Sequence, residues 1–164
     1  RNSKIYGELL GSAYSSEAVD ITAPQEDGVG MCETMQQALA DADIEYDQID
    51  YINAHGTSTY LNDKYETMGI KKCFMERQKE ISISSTKSML GHTVAACGAI
   101  ESIVTILSLI HGKITPTINY DNPDPELDLD YTPNVCRERD INIAMSNSFG
   151  FGGHNACIIY KKYQ

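Results

Sequence analysis

Three of the four histidines, His55, His92 and His154, stand where an apolar, strand-like run gives way to a loop or helix. In α/β sheets the crevice beyond the strand ends is where ligands collect, so imidazoles there are placed for acid–base or hydrogen-bonding chemistry. A single loop histidine is usually just solvated, and three at analogous ends carry more weight. His111 instead follows an apolar run and precedes Gly112-Lys113, which suits a helix C-terminus. Glu101 is the only charge between Thr93 and Ile110. If that run is a helix buried on all sides, the carboxylate must be paired, metal-bound or part of a site, because an unpaired buried ion is costly. Zinc is poorly served: there is no HxxxH, no CxxC and no close carboxylate spacing. Cys97 lies near His92 in sequence, but its Ala-Ala-Cys-Gly-Ala context reads as mid-helix packing. Cys32 and Cys73 read as small hydrophobes on helices, Cys136 as part of a Pro-flanked connection and Cys157 as part of a closing strand. Gly150-Phe151-Gly152-Gly153 joins two strands with the wrong spacing for a dinucleotide fingerprint. It reads as a mobile flap or backbone N–H donor site around an exposed Phe, or as a plain tight hairpin.

The elements that must position these residues follow from periodicity. Lys4 to Ser16 alternates as a strand, with Gly7 and Gly11 suggesting a bulge or a close backbone approach. A loop from Val19 to Gly30 leads to a helix over Met31 to Ala42, then a strand over Asp47 to Asn53. A charged amphipathic helix runs from about Asn62 to Lys79, with Met68, Ile70, Cys73 and Phe74 facing the core. The stretch from Ile81 to Gly112 organises the rest: a strand at Ile81 and Ile83, a Ser/Thr/Lys turn, and a helix from Thr93 to Ile110 with apolar residues on every face. A Pro-rich connection, a short acidic strand at Leu127 to Asp130 and two closing strands, Asn142 to Asn147 and Asn155 to Lys161, complete the chain. Strands alternating with helices predict a layered α/β sheet with right-handed crossovers.

The 164 residues suit one domain. A net charge of −10 argues against a nucleic acid or an anionic membrane as the main partner. Thr93 to Ile110 has roughly the length of a membrane span, but Glu101, Gly98 and several Ser/Thr positions dilute it. Five cysteines without a CxxC, and no signal peptide, point to a reducing compartment. Arg1 in place of Met is how a fragment or processed chain begins.

Three motifs taken together resemble a family. They are Asn53-Ala54-His55-Gly56-Thr57-Ser58-Thr59 with Asp63 and Glu66, Ser85-Thr86-Lys87-Ser88-Met89 with Gly91-His92, and Asn147-Ser148-Phe149-Gly150-Phe151-Gly152-Gly153. In this order they look like the C-terminal half of a β-ketoacyl-[acyl carrier protein] synthase, a type II elongating condensing enzyme of the thiolase-like superfamily. The likeness extends over nearly all 164 residues, including the Thr22 loop and Asn122-Pro123-Asp124-Pro125.

The resemblance implies a thiolase-like layered αβαβα sandwich, of which residues 1–164 would be the C-terminal half-domain. It implies a decarboxylative Claisen condensation, in which the carbanion from malonyl-carrier protein attacks an acyl group held on a cysteine during fatty acid elongation. His55 and His92 would bind the malonyl thioester oxygen, Lys87 would set the local electrostatics, and Phe151 would gate the site and supply an oxyanion N–H. Thr22, Thr57 and Thr59 would hydrogen-bond the phosphopantetheine arm, which belongs to the carrier protein; no dedicated cofactor is implied. Glu101 would help hold a buried Na+ or K+ with oxygens from Asn53, Ser146 and Asn147, or would pair with Lys87.

No Ala-Cys-Ser-type nucleophile motif is present, so none of the five cysteines is assigned that role. The nucleophile, most of the carrier-protein docking surface and most homodimer contacts are expected in a preceding N-terminal half, and this chain alone is expected to be inactive and to expose an apolar face. Ala23 and His154 depart from hydroxyl residues found in some relatives. A non-catalytic chain-length-factor-like subunit and a polyketide ketosynthase fragment are the alternatives. Acyl carrier protein is the implied partner. The implied compartment is the cytoplasm, or an organelle if a transit peptide has been lost.

Overall fold

The computed structural model describes residues 2–164. Five strands form one mixed sheet: β1 (Glu8–Ser16), β2 (Tyr51–Asn53), β3 (Ser82–Ser84), β6 (Ile143–Gly150) and β7 (His154–Lys161), in the spatial order β1-β7-β6-β2-β3. β4 (Lys113–Ile114) and β5 (Arg137–Glu138) pair separately. β7 runs antiparallel to both β1 and β6, whereas β2 is parallel to both β6 and β3.

The helices α1 (Val29–Asp41) and α2 (Tyr60–Phe74) cover one face of the sheet, a single-turn helix α3 (Lys87–Leu90) follows β3, and α4 (Cys97–His111) covers the other face. Met31, Met35, Ala38 and Leu39 recur at helical spacing on α1 and are buried, as the sequence predicts. They meet Ile52, Ile83 and Met145 from the sheet and Ile70, Cys73 and Phe74 from α2 in the main apolar core. The predicted bulge in the first strand is present, as a register shift between Leu9 and Gly11.

Three expectations are corrected. α2 stops at Phe74, because Met75 takes a left-handed φ of 45° and the chain continues to Lys79 as a 3-10 turn. Leu127 to Asp130 forms no strand. That segment is held by a turn, with Leu127 N–H donating to Asp124 O, and by ion pairing of the Asp130 carboxylate with the Arg137 guanidinium. The helix in the central stretch is not buried on every side. It begins at Cys97 after a 3-10 turn, and its packed face carries Glu101, Thr105 and Ser108 alongside Cys97 and Leu109. Ile103 and Leu107 point away from the sheet and stay exposed. The polar side therefore faces this domain's own sheet, and the apolar side faces outward.

Candidate functional site

The parallel strands β2 and β3 and the neighbouring β6 all end at the same edge of the sheet, and each delivers part of one cluster. After Asn53 the backbone turns sharply through Ala54-His55-Gly56. Gly56 has φ 42°, and a Cβ there would sit 2.5 Å from the Ser85 Cβ, so the turn requires glycine. Glu66, buried on α2, clamps this turn: its Oε1 accepts the His55 N–H and its Oε2 accepts the Gly56 N–H, each at 2.8 Å. Asn62 Nδ2 also donates to Oε2 (3.3 Å), and Ser85 Oγ–H donates to Gly56 O (2.6 Å). Glu66 belongs to the first motif, but sequence spacing alone assigned it no role. The available signal is its place on α2, four residues before Ile70 and so on the helix face that meets the core.

The clamp presents His55, which is 7% exposed, to His92. Their rings meet edge to face with centroids 5.7 Å apart. Phe149, at the end of β6, closes a third side of His55 at 6.1 Å. Phe149 belongs to the third motif, but sequence spacing assigned it no role. Burial, reinforced by the Lys87 charge and by His92, pushes the His55 pKa down to about 3, so the imidazole is neutral near pH 7. His92 Nδ1 accepts the Val94 backbone N–H at 3.0 Å, which leaves the neutral ring's proton on Nε2. Cys97 is not mid-helix as predicted. It opens α4, accepts the Thr93 hydroxyl at 3.3 Å, and its Sγ lies 3.4 Å from His92 Nδ1.

Behind the histidines lies an ion pair between Lys87 Nζ and Glu101 Oε1, with both side chains almost fully buried. The Lys87 partner is thus one of the alternatives that the lone carboxylate left open. Burial pushes the Glu101 carboxyl up, and the Lys87 hydrogen bond and charge offset part of that. Glu101 Oε2 is buried and accepts no hydrogen bond among the described residues.

The expected cation ligands are not all gathered on one side. Asn53 pairs with Ser146 across parallel strands, so both side chains share the α4 face with Glu101. Asn53 Nδ2 donates to Glu101 O and to Thr105 Oγ1, each at 3.3 Å. The Asn147 side chain points to the opposite face, where its Nδ2 meets Met35 Sδ at 3.5 Å. Adjacent strand residues face opposite sides, so Asn147 could offer a cation on the α4 side only its backbone carbonyl.

Thr57 and Thr59 share a hydrogen bond (2.9 Å), and Thr57 lines a cavity of about 560 Å³ together with Glu66, Lys87, His92 and Tyr131. Thr22 stands on a different loop, held by Asp20 Oδ1, which accepts the Thr22 N–H (2.7 Å), the Thr22 hydroxyl (3.2 Å) and the Ala23 N–H (2.9 Å). Phe151 sits in a 3-10 turn between β6 and β7 and is 77% exposed. The Gly152 N–H donates to Ile21 O (2.7 Å), so the Phe151 turn and the Thr22 loop touch. His154, the third histidine at a strand end, does not join the pair. It stacks on Tyr14 instead. His111 ends α4 ahead of Gly112, as expected.

Residues 6–121 match the family described as beta-ketoacyl synthase, C-terminal domain. Among curated proteins, the chain is 48% identical over 164 residues to a 3-oxoacyl-[acyl-carrier-protein] synthase 2 of Synechocystis sp., covering all of this chain and 39% of that one. A protein of the same name from Staphylococcus aureus is also 48% identical, with 40% of it covered. The chain therefore spans about 40% of the length of these curated relatives. Among solved structures, a β-ketoacyl synthase from Burkholderia phymatum superposes with a TM-score of 0.92 at 38% identity, covering 98% of this chain and 38% of that one. A ketosynthase described in complex with its type II polyketide synthase acyl-carrier protein, and bound to the hexaketide, superposes with a TM-score of 0.96 at 40% identity, covering 99% of this chain and 40% of that one.

Proposed function

Because the chain belongs to the β-ketoacyl synthase family, we propose that it forms the C-terminal half of a carrier-protein-dependent condensing enzyme of fatty acid elongation. The observation that carries this reading is the edge-to-face pair of His55 and His92 backed by the buried Lys87–Glu101 ion pair.

In the reaction, the thioester carbonyl of malonyl-carrier protein lies between the two imidazoles. His92 Nε2–H donates to its oxygen, in the tautomer fixed by the Val94 N–H, and neutral His55 supplies the second polar contact. The Cα–carboxylate bond breaks, carbon dioxide leaves, and the electron pair enters the enolate that these donors stabilise. The carbanion carbon then attacks the acyl thioester on the nucleophilic cysteine. A carbon–carbon bond forms, the carbon–sulfur bond breaks, and the thiolate leaves. A neutral His55 holds an oxyanion without first titrating, which suits a donor whose task is charge stabilisation.

The cysteine is assigned to a preceding half, whose helices would also cover the exposed Ile103–Leu107 face of α4. Thr57 and Thr59, in and beside the cavity, suit the neutral amide and hydroxyl groups of a phosphopantetheine arm, and Thr22 would approach it from the flap side. Acyl carrier protein is the proposed partner, docking mainly on the other half. If a monovalent cation binds, Glu101 Oε2 is the unpartnered oxygen on the α4 face that would take it, with Asn53, Ser146 and the Asn147 carbonyl around it. It would supply fixed positive charge beside Glu101.

A ketosynthase of polyketide synthesis is the second reading, favoured by the polyketide neighbour at TM-score 0.96. Product analysis decides between them. The complete synthase, given acyl- and malonyl-carrier proteins, is expected to release a 3-oxoacyl product two carbons longer, and residues 1–164 alone are expected to release none. Poly-β-keto products from the complete synthase would favour the second reading, and turnover by this chain alone would overturn the placement of the cysteine.

A further inference from the structure

We infer that Tyr14 and His154 are positioning residues for the Phe151 flap, holding it to the Thr22 loop so that the two segments move as one. The inference rests on the reading of Phe151 and Thr22 as site residues, but its structural test does not.

A connected set of contacts carries it. Tyr14 Oη and His154 Nδ1 share a hydrogen bond at 2.5 Å, and their rings stack at 5.7 Å with planes 22° apart. The other edge of the imidazole lies against the flap: a Cβ built on Gly152 would be 3.3 Å from His154 Cδ2 and 3.4 Å from Nε2. The flap is then tied to the preceding loop at two backbone points, Gly152 N–H to Ile21 O at 2.7 Å and Glu17 N–H to Gly153 O at 2.8 Å. Gly153, at φ 73°, lies so close to that loop that a Cβ would fall 2.3 Å from Glu17 O. Glu17 is itself fixed at both carboxylate oxygens, by Asn155 Nδ2–H (2.7 Å) and Gln25 N–H (2.6 Å).

The geometry gives the pair a task that neither residue has alone. Register places Ser16 opposite His154 and Tyr14 opposite Ala156, so the two rings meet diagonally across β1 and β7 just where both strands leave the sheet. A side chain on β1, the strand that leads into the Thr22 loop, thereby steadies the first residue after the flap. Phe151 cannot swing far without turning Gly152 against the imidazole or breaking the Gly152–Ile21 bond. Opening the gate therefore moves the Thr22 side of the site with it.

Hydrogen exchange measured by mass spectrometry on the complete synthase tests this without reference to turnover. Tyr14→Phe keeps the ring and removes the hydroxyl, His154→Ala removes both contacts, and His154→Gln keeps a hydrogen-bonding group. Exchange of the segments containing Glu17 and Gly152 is expected to rise together in Tyr14→Phe by about fivefold, the factor one net hydrogen bond is worth. It should rise further in His154→Ala and return toward wild type in His154→Gln, with the β6–β7 ladder and the melting temperature unchanged. Unchanged exchange in Tyr14→Phe and His154→Ala, a rise confined to one segment, or Gln behaving as Ala would each overturn the proposal. In parallel, the variants are expected to shift KM for malonyl-carrier protein more than kcat. A wild-type synthase that makes no 3-oxoacyl product would count against the proposed function and leave the exchange result standing.

Discussion

The two faces of the sheet are built from different materials. Toward α1 and α2 the strands send Ile52, Ile83 and Met145 into a continuous apolar core with Met35, Ile70 and Phe74. Toward α4 the same strands send Asn53, Ser84 and Ser146, all buried, against a helix that answers with Glu101, Thr105 and Ser108. Only the far end of that face, around Tyr51, Leu109, Ile114 and Ile141, is apolar again. Burying polar groups stabilises less than burying methylenes, so the second face is poor material for stability alone. Its polar end coincides with the strand ends that carry His55 and Lys87. One face holds the fold, and the other holds charge beside the chemistry.

The largest effect that could break this contrast is expected at Lys87. Lys87→Met leaves the Glu101 carboxylate buried without its cation and should destabilise by about 3–5 kcal/mol in urea unfolding. Adding Glu101→Leu should return most of that loss, because an apolar pair of similar volume tolerates burial. On the other face, Met35→Ala should cost about 2–5 kcal/mol, with no second substitution of charge able to restore it. A Lys87→Met variant as stable as wild type would show that the pair is not buried as described.

Acid sensitivity sharpens the contrast next. His55 is held down to about 3 in the folded chain against 6.5 for a free imidazole, first by burial and then by Lys87 and His92. Between those values the unfolded chain binds a proton that the folded chain does not. The contribution is therefore complete above pH 6.5 and is lost as pH falls, at about 1.4 kcal/mol per unit, or about 2 kcal/mol by pH 5. Comparing wild type with His55→Asn between pH 7 and 5 checks this, since the variant should lose that part of the slope. Equal slopes would place a charged His55 in the folded state.

Glu66 should show a smaller loss. Glu66→Gln retains one carbonyl acceptor but turns an amide toward the His55 and Gly56 N–H groups, and leaving one donor unmade costs about 1–3 kcal/mol. Turnover should fall by more than the stability change explains, because the His55 turn is what the carboxylate holds. Asp20→Ala should be the mildest: no measurable change in unfolding, since the side chain is solvated, but a raised KM for malonyl-carrier protein as the Thr22 loop loses its three contacts to Oδ1.

Much of this was legible in the sequence where local rules decide. The apolar periodicity of α1, the histidine at the end of β2 and the bulge near Gly11 all follow from spacing and residue type. Glu101 could be read as a carboxylate in need of a partner, although not which partner. The failures lie where tertiary context overrides the pattern. The Thr93–Ile110 run reads as buried on all sides because hydropathy does not say which face meets which layer; here the packed face is the polar one. Leu127 to Asp130 alternates like a strand, yet only the Asp130 carbonyl reaches β3, accepting the Ile83 N–H, and no ladder forms, while the Asp130 side chain pairs with Arg137. Glu66 and Phe149 stand in the motifs without a role because those roles, clamping a backbone turn and walling an imidazole, exist only once three strand ends converge.

The central claim is that His55 and His92 stabilise the enolate formed as the malonyl group loses carbon dioxide. The most direct measurement is release of labelled carbon dioxide from carboxyl-labelled malonyl-carrier protein by the complete synthase, with acyl transfer to its cysteine followed separately. His92→Ala and His55→Ala are each expected to lower decarboxylation by roughly 10²-fold or more while acyl transfer to the cysteine persists. Decarboxylation at the wild-type rate in either variant would contradict the account.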